Sequence, residues 1–383
     1  MSDGARPEVA IGVVGAGMMA DAVVDAASRW RLLVSPPGAP RLRVLCDVDP
    51  ARLERLAPAF ERTAADWRAV VAARDVSLVY VAVPHHLHRE IAVAAIEAGK
   101  DVLVEKPMGL DLGAAEAIAA AAAARPGQIV HVSNEFPFHP AAVHARDLVA
   151  RRAALGAVPF QYSGWHLHGS DVDPKKPINW KRQSAFCGPG GVLSDLGAHV
   201  FWMASLLGFR ATRVSAALGK FFRERPKAAG SAETAPCDTW DKALLLAHCD
   251  NGALATFRAD RVATGVDDSW GFRAEGIGGV VGFDSERRDE ALHFDRQGGG
   301  SGLAHVPRGS RSIYPIRIGD IFGFGFRDVL LQMWAAVVEA CATRSPSPHL
   351  PTAGDGLYFQ RVTDAALRSH AAGAWVAVGP GAA

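Results

Sequence analysis

The first 134 residues alternate between short apolar runs and longer segments rich in Ala, Leu, Glu and Arg. The short runs are apolar almost throughout, which is typical of parallel strands that are covered on both faces. Helix-sized segments separate them, as in βαβ units. This alternation predicts an α/β domain built on a doubly wound parallel sheet. The expected strands are Val9–Val14, Leu42–Cys46, Leu78–Val83, Val102–Val104 and Ile129–Ser133.

The pattern changes after about Pro140, where most of the strand candidates follow one another without a helix between them. Short connections of this kind predict an antiparallel sheet. We therefore expect a second, α+β domain with an open, mostly antiparallel sheet, and a division of the 383 residues into 1–135 and 136–383. Residues 283–311, which contain GGGSG, are predicted to form a surface loop. The expected elements are strands at Val214–Leu218, Ala243–His248, Leu254–Arg258 and Phe272–Glu275, and helices at Val192–Leu207, Phe326–Ala342 and Asp355–Ala371.

Composition excludes several classes of partner. The chain has 41 Lys and Arg against 40 Asp and Glu, a formal charge of +1, so we expect neither nucleic acid nor a membrane surface as a partner. The five cysteines are scattered without a CxxC spacing, which favours reduced thiols. The N-terminal MSDGARPEVAIG lacks a signal-peptide pattern, and the most apolar helical stretch, Ala114–Ala124, is about half the ~20 residues that span a bilayer. These features predict a cytoplasmic protein.

The first predicted strand ends in GAGMMA, Gly15–Ala20, which fits the pattern G-x-G-x-x-G/A. In such a turn Gly15 permits the tight bend, Gly17 lets the backbone approach a pyrophosphate, and Ala20 lets the helix pack close to the sheet. The N-terminus of the following helix then faces the anion. The turn predicts a dinucleotide-binding Rossmann domain.

Asp47 ends the second predicted strand, where a carboxylate can accept hydrogen bonds from the adenosine ribose. Asp47 and Asp49 would repel a 2′-phosphate, so NAD is favoured over NADP. Arg52 favours NADP instead, because it is close enough in sequence to pair with that phosphate. The alternative for Asp47 is a solvated turn residue or the N-cap of the next helix.

A lysine lies at the carboxyl end of a later predicted strand, in Glu105-Lys106-Pro107. Such sheets bind ligands at the carboxyl ends of their strands, so Lys106 has a position suited to catalysis. His85, His86 and His88 follow the preceding strand, but no carboxylate or cysteine is placed to complete a metal site with them. We predict no metal.

The chain resembles the glucose-fructose oxidoreductase/inositol dehydrogenase (Gfo/Idh/MocA) family through the glycine turn, the P-x-x-x-H turn, the E-K-P motif and GPGGVLSDLGAHVFWMASLLG at Gly188–Gly208. The resemblance covers essentially the whole chain. It implies that Lys106, Asp195 and His199 are catalytic. His85 stands where many members carry asparagine near the nicotinamide. The cofactor-binding residues that it implies are Gly15, Gly17, Met18, Met19, Asp47, Pro84, His85, His88, Glu105 and Lys106.

The chemistry of alcohol oxidation suits these residue types. Asp195 and His199 are four apart on a predicted helix and would project from one face, beside an apolar stripe. His199 can act as the base that takes the hydroxyl proton, and Lys106 can stabilise the developing alkoxide. Asp195 can orient His199 or bind a neighbouring hydroxyl. In the alternative assignment Lys106 is the base, and the sequence does not decide. The stripe consists of Leu196, Val200, Met203 and Leu207.

The resemblance implies an NAD(P)-dependent oxidoreductase that oxidises a secondary hydroxyl of a sugar, cyclitol or related polyol. The alternatives are a redox-assisted glycoside hydrolase and a non-catalytic NAD-sensing regulator. The resemblance also implies a homodimer or homotetramer, and an uncovered sheet face would leave apolar surface for such a partner. Several polar and aromatic residues could contact the sugar, although packing or turn-capping roles are open for them too. These are Asn134, Trp165, His168, Trp180, Lys181 and Tyr314.

Overall fold

A computed structural model describes residues 6–150, 155–296, 302–307, 312–317 and 323–379 of the chain. The chain folds into two compact units. Unit 1 comprises residues 1–109, 113–139 and 312–357, and unit 2 comprises residues 110–112, 140–311 and 358–383. This division differs from the predicted one, because residues 312–357 return to pack with the first unit.

Unit 1 contains a parallel sheet of six strands in the order β3-β2-β1-β4-β5-β6. This strand order confirms the predicted Rossmann fold. The strands are β1 (Glu8–Val14), β2 (Ala39–Cys46), β3 (Arg62–Ala64), β4 (Leu78–Val81), β5 (Asp101–Val104) and β6 (Val130–Val132). The helices of this part of the chain are α1 (Met18–Ser28), α2 (Pro50–Leu56), α3 (Trp67–Ala72), α4 (His88–Glu97) and α5 (Leu112–Ala123).

Both faces of this sheet are covered, as the apolar runs predict. Alternate residues of a strand point to opposite faces, so Ile11 and Val13 belong to one buried cluster whereas Val14 belongs to the other. The first cluster also contains buried residues from α1 and from residues 329–341, and the second contains residues of α4 and α5. The sequence pattern missed β3 and α3, because a three-residue polar edge strand and a six-residue helix give almost no periodic signal.

The remaining elements follow residue 139. The helices are α6 (Pro140–Ala150), α7 (Ser184–Cys187), α8 (Val192–Asp195), α9 (Gly197–Leu206), α10 (Phe326–Thr343) and α11 (Ala353–Ala372). The strands are β7 (Pro159–His168), β8 (Ala211–Gly219), β9 (Glu224–Pro226), β10 (Thr234–Pro236), β11 (Lys242–Cys249), β12 (Leu254–Asp260), β13 (Asp268–Gly276), β14 (Gly279–Asp284), β15 (Glu290–Asp295), β16 (Ala304–Pro307) and β17 (Val376–Ala377).

Unit 2 contains a nine-stranded sheet in the order β16-β15-β14-β13-β7-β12-β11-β8-β17. Among the described strands of this sheet, only β7 and β12 pair in parallel, which confirms a mostly antiparallel sheet. The predicted loop at 283–311 is wrong in part, because β15 and β16 lie within it. Residues 297–301 and 308–311 of that loop lie outside the described residues.

The two faces of this sheet differ. Helix α9 covers one face, where Gly164 of β7 leaves no room for a side chain beside Val200. On the other face Leu244, Leu246 and Leu254 are 47%, 54% and 54% exposed. The open sheet is therefore confirmed. Across the described ranges, no helix combines the length and the apolarity that crossing a bilayer requires.

Candidate active site

The glycine turn of unit 1 fits a nucleotide phosphate. Gly15 has φ +106°, and a Cβ on it would lie 2.2 Å from the carbonyl oxygen of Ala82, so only glycine is accommodated. A Cβ on Gly17, by contrast, would meet no described atom within 4 Å. Gly17 is the N-cap of α1 and has no side-chain cap. The backbone at this helix N-terminus is therefore open to an anion.

Met18 and Met19 point in different directions within this turn. Met18 is 74% exposed, whereas Met19 packs against the core cluster of unit 1. Ala20 is completely buried, as its predicted packing role requires. Of the two methionines, only Met18 lies on the solvent side, where the phosphates of a cofactor would be.

Asp47 is bonded to the glycine turn. One carboxylate oxygen accepts a hydrogen bond from the backbone N–H of Ala16 at 2.7 Å, and the other accepts from the N–H of Asp49 at 2.9 Å. Asp49, not Asp47, caps α2 by accepting from Ala51 N–H. Arg52 forms an exposed ion pair with Asp49 at 3.3 Å. The N-cap alternative for Asp47 is therefore wrong, and its remaining lone pairs can accept from a ribose.

The histidine turn after β4 is anchored to the segment after β5. Pro84 precedes a short 3₁₀ turn, His85–Leu87, and His88 begins α4. The fully buried His88 ring places Nε2 2.9 Å from Val83 O and Nδ1 3.0 Å from Pro107 O. Burial lowers the pKa of His88. His85 is also buried, with its ring centroid 5.4 Å from that of His88.

Glu105 accepts several hydrogen bonds at the end of β5. Its Oε1 accepts from the hydroxyls of Tyr80 at 2.5 Å and Ser133 at 2.6 Å, and its Oε2 accepts from the backbone N–H of Lys106 at 3.3 Å. Burial, followed by the charge of Glu105, raises the pKa of Tyr80. Asn134 follows Ser133 and is fully buried. Hydroxyls from two neighbouring strands thus fix the carboxylate that precedes Lys106.

Asp195 and His199 lie on consecutive short helices of unit 2. The single helix that the sequence predicts at Val192–Leu207 is interrupted, because α8 ends at Asp195 and α9 begins at Gly197. The predicted apolar stripe is buried. However, every residue from Gly197 to Ala204 is buried as well, so α9 is enclosed on all sides rather than amphipathic.

Two cations hold the carboxylate of Asp195. Lys181 Nζ lies 3.1 Å from both carboxylate oxygens, and Arg261 Nη2 lies 3.4 Å from Oδ2. Arg261 also donates to the backbone oxygen of Lys181 at 3.1 Å. The ammonium group of Lys181 lies 5.7 Å from the ring centroid of Trp180. The structure therefore brings the predicted residues Trp180 and Lys181 to Asp195.

The ring of His199 contacts a second histidine. His166 and His199 have centroids 5.2 Å apart and planes at 66°. His166 Nε2 lies 3.1 Å, and His168 Nε2 3.4 Å, from the same carboxylate oxygen of Asp268. Burial lowers the pKa of His168. His199 thus belongs to a group of imidazoles on the side of the sheet that α9 covers.

Comparison with known families agrees with both units. Residues 9–134 match the oxidoreductase family with an NAD-binding Rossmann fold, and residues 142–278 match the GFO/IDH/MocA C-terminal domain. The chain belongs to the Gfo/Idh/MocA family. Three predictions are thereby confirmed: the family resemblance, the Rossmann domain, and NAD as the cofactor of that domain.

Relatives of this family member extend over its whole length. Levoglucosan dehydrogenase of Pseudarthrobacter phenanthrenivorans is 29% identical over 396 residues, 96% of this chain and 97% of the relative. A solved structure of levoglucosan dehydrogenase in complex with NADH and L-sorbose has a TM-score of 0.88 at 28% identity, covering 98% of this chain and 100% of that one. An oxidoreductase domain protein from Kribbella flavida has a TM-score of 0.90 at 30% identity, covering 97% and 100%. The chain is an NAD-dependent dehydrogenase of this family.

Two of the predicted sugar contacts of this Gfo/Idh/MocA protein have other roles. Trp165 points to the face of the sheet opposite His166, because side chains alternate along β7, and its ring lies across Gly271 while its N–H donates to Ser269 at 3.2 Å. Tyr314 is buried in the core cluster of unit 1, and its hydroxyl donates to Glu339. These contacts favour the packing alternative for both side chains, and their contacts with a sugar stay predictions.

Sequence reasoning missed four polar residues of these groups: Tyr80, Ser133, Arg261 and Asp268. Tyr80 and Ser133 lie in or next to apolar runs that indicate core strands, so their hydroxyls gave no separate signal. A serine at the carboxyl end of a parallel strand is the one feature that could have directed attention to Ser133. Asp268 meets His166 and His168 through the antiparallel register of β13 and β7, and Arg261 follows β12 and meets Asp195 of α8 through tertiary packing; periodicity supplies neither contact.

Proposed function

We propose that this protein oxidises a secondary hydroxyl of a sugar, cyclitol or related polyol with NAD. One observation carries the proposal: a single chain contains both an NAD-binding Rossmann unit and a unit with two buried polar side chains on consecutive helices. These side chains are the imidazole of His199 and the carboxylate of Asp195, which is paired with two cations. End-to-end similarity to levoglucosan dehydrogenase supports it.

In this proposal the residues of unit 1 hold the cofactor. The open backbone at Gly17 and Met18 receives the pyrophosphate, and Asp47 accepts from the ribose. The carboxylate of Asp47 repels a 2′-phosphate, which selects NAD over NADP. Pro84, His85, His88 and Glu105 shape the surroundings of Lys106. When bound, NAD supplies the acceptor for the hydride.

The family resemblance assigns the proton chemistry to Lys106, Asp195 and His199. His199 takes the proton of the hydroxyl, since an imidazole titrates near neutral pH. Lys106 donates a hydrogen bond to the oxygen as negative charge develops there. Asp195, held by Lys181 and Arg261, orders the polar groups around the imidazole. His168, Trp180, Lys181 and Asn134 are the proposed contacts for the other hydroxyls of the substrate.

The first experiment follows NADH formation with levoglucosan, L-sorbose and myo-inositol as substrates. We expect turnover with at least one of them, and a loss of about 10²–10⁴-fold in kcat in Lys106→Ala and His199→Ala with NAD binding retained. Lys175→Ala, an exposed lysine of unit 2, is the matched control and should keep full activity. Binding of NAD without any reduction across a broad polyol panel would overturn the proposal.

The same protein samples also test the two alternative functions, a redox-assisted glycoside hydrolase and a non-catalytic NAD-sensing regulator. Release of nitrophenol from nitrophenyl glycosides without net NADH would indicate the redox-assisted hydrolase. NAD binding that no substrate converts, together with unchanged behaviour of Lys106→Ala, would indicate the regulator.

We also propose a homo-oligomer that forms through the open face of the unit 2 sheet. Leu244, Leu246 and Leu254 are about half exposed on neighbouring positions of β11 and β12, which is apolar surface that a second copy would cover. Light scattering should give the mass of a dimer or tetramer, and Leu246→Asp should lower it. Val48→Asp, at the most exposed valine of unit 1, should leave the mass unchanged.

A further inference from the structure

Three side chains with metal-binding groups converge on one face of the unit 2 sheet. His166 and His168 are two residues apart on β7 and therefore point to the same side of the sheet. Asp268 begins β13 and lies directly opposite His168 in the antiparallel register. Their ligand atoms all lie within 4.8 Å of one another. The sequence pattern gave no sign of this cluster, because Asp268 is 100 residues further along the chain than His168.

The distances within the cluster suit a tetrahedral ion. The Asp268 oxygen lies 3.1 Å from His166 Nε2 and 3.4 Å from His168 Nε2. Around a four-coordinate Zn²⁺ with bonds of about 2.0–2.1 Å, neighbouring ligand atoms lie about 3.3 Å apart. Both imidazoles present the same nitrogen to the same oxygen, so an ion could bond to all three after small side-chain rotations.

Burial and access also fit a bound cation. The side chain of His166 is 2% exposed, whereas those of His168 and Asp268 are 32% and 43% exposed. The site is thus buried on its inner side, between the paired strands β7 and β13, and open to solvent on its outer side. Two imidazoles and one carboxylate, with a position left for water or a substrate oxygen, form the ligand set of catalytic zinc sites.

We propose that His166, His168 and Asp268 form a binding site for a divalent transition metal ion, with Zn²⁺ as the preferred ion. The ion would lie beside the ring of His199, which contacts His166. Its fourth position would accept an oxygen ligand on the face of the sheet that α9 covers. His168, which the proposed function gives as a contact for a substrate hydroxyl, would then reach that hydroxyl only through the ion. Metal binding is measured directly, so its test is separate from that of the dehydrogenase reaction.

The test uses the full chain after treatment with EDTA and dialysis. Calorimetry with Zn²⁺ should give about one equivalent bound per chain, and Co²⁺ should give the visible absorption of a four-coordinate ion. His168→Gln and Asp268→Asn should each weaken binding by at least about 10-fold, the loss that follows even from removing an outer partner of a ligand. His248→Gln, at the far end of β11 in the same unit, is the matched control and should bind as the unchanged chain does.

Circular dichroism and NAD binding show whether each variant is folded. If one of the two ligand variants fails to fold, the other still tests the site by comparison with His248→Gln. Binding that is equally strong in His168→Gln, Asp268→Asn and His248→Gln would overturn the proposal. So would Co²⁺ absorption typical only of a six-coordinate ion, because the tetrahedral site would then not exist.

Discussion

Two buried polar groups, one in each unit, are stabilised in different ways. In unit 1 the buried carboxylate of Glu105 accepts from the neutral hydroxyls of Tyr80 and Ser133. In unit 2 the buried guanidinium of Arg182 donates to the carboxylates of Asp171 and Asp241. The Glu105 group therefore relies on neutral donors around one charge, whereas the Arg182 group relies on opposite charges that compensate one another.

The difference follows from how each sheet is covered. The unit 1 sheet is apolar over most of both faces, and Glu105 and Ser133 follow the carboxyl ends of β5 and β6. In unit 2, long connections such as residues 169–183 and 220–241 carry buried charged side chains, and they contain only the short strands β9 and β10 and one 3₁₀ turn. Pairing them compensates the loss of hydration. We expect unit 2 to be much more sensitive to the loss of one charge.

The largest expected effect is that of Asp241→Ala. Arg182 and Asp241 are both completely buried, and Asp241 also accepts from the backbone N–H groups of Phe221 and Phe222. Removing the carboxylate leaves a buried guanidinium short of a partner, so the free energy of unfolding should fall by about 3–5 kcal/mol. Urea denaturation measures this loss.

Glu233→Ala is the control for that variant. Glu233 pairs with Lys227, and both side chains are more than half exposed. Its removal should change the free energy of unfolding by less than about 1 kcal/mol. A loss in Asp241→Ala no larger than in Glu233→Ala would contradict the contrast between the units.

An intermediate effect is expected for Tyr80→Phe. The variant removes one hydrogen bond to the buried Glu105 carboxylate, which should lower the free energy of unfolding by about 1.5–3 kcal/mol. Tyr162→Phe is matched to it, because Tyr162 is equally buried but its hydroxyl has no hydrogen-bond partner among the described residues. Tyr162→Phe should be neutral or slightly stabilising. Equal losses in the two variants would show that the hydroxyl of Tyr80 is not what stabilises Glu105.

A smaller effect concerns pH and His131 of unit 1. His131 Nδ1 donates to Pro351 O at 3.0 Å and Nε2 accepts from Ser347 N–H at 3.0 Å, which satisfies a neutral ring. Burial lowers the pKa of His131 below its ordinary 6.5. As the pH falls, the unfolded chain therefore binds the proton first, and stability is lost below about pH 6.5.

His131→Gln should make the free energy of unfolding less dependent on pH between about pH 7 and pH 5. The exposed His86 is the control site, and His86→Gln should retain the pH dependence of the unchanged chain. An identical pH dependence in all three proteins would show that His131 is not protonated on unfolding in this range.

Much of unit 1 could be predicted from sequence because its signals are local. Strands buried on both faces give continuous apolar runs, and β1, β2, β4, β5 and β6 each overlap one of the five predicted runs. In unit 2 the central strand β7 was missed. In its sequence, PFQYSGWHLH, the apolar residues change from even to odd positions at Gly164, so no single alternation marks a strand, and the histidines and tryptophan suggested a sugar site instead.

Only those residues of the candidate site that belong to sequence motifs could be predicted. The turn at Gly15 is tight for the predicted reason, and Asp195 and His199 are buried next to charged or imidazole partners. The partners themselves could not be predicted. Arg261 reaches Asp195 from 66 residues away through tertiary packing, and Asp268 reaches His166 from 102 residues away through strand pairing; no short pattern encodes either contact.

The smallest expected effect on stability is that of removing an exposed ion pair. It tests whether burial, rather than ion pairing itself, makes the charged groups of unit 2 sensitive to substitution. Arg62 and Asp75 of unit 1 form a two-point ion pair at 2.7 and 2.8 Å, yet both side chains are nearly half exposed. Arg62 lowers the pKa of Asp75 from 3.8 to about 2, so any stability from this pair is present above pH 3.8 and is lost as the pH falls towards 2.

Solvent and salt screen an exposed pair, so Asp75→Asn should leave the free energy of unfolding at neutral pH almost unchanged. NMR titration of the Asp75 carboxyl should nevertheless show the low pKa, and Arg62→Gln should raise it. If Asp75→Asn destabilised the protein as much as Asp241→Ala does, ion pairing itself, and not its burial in unit 2, would account for the difference between the units.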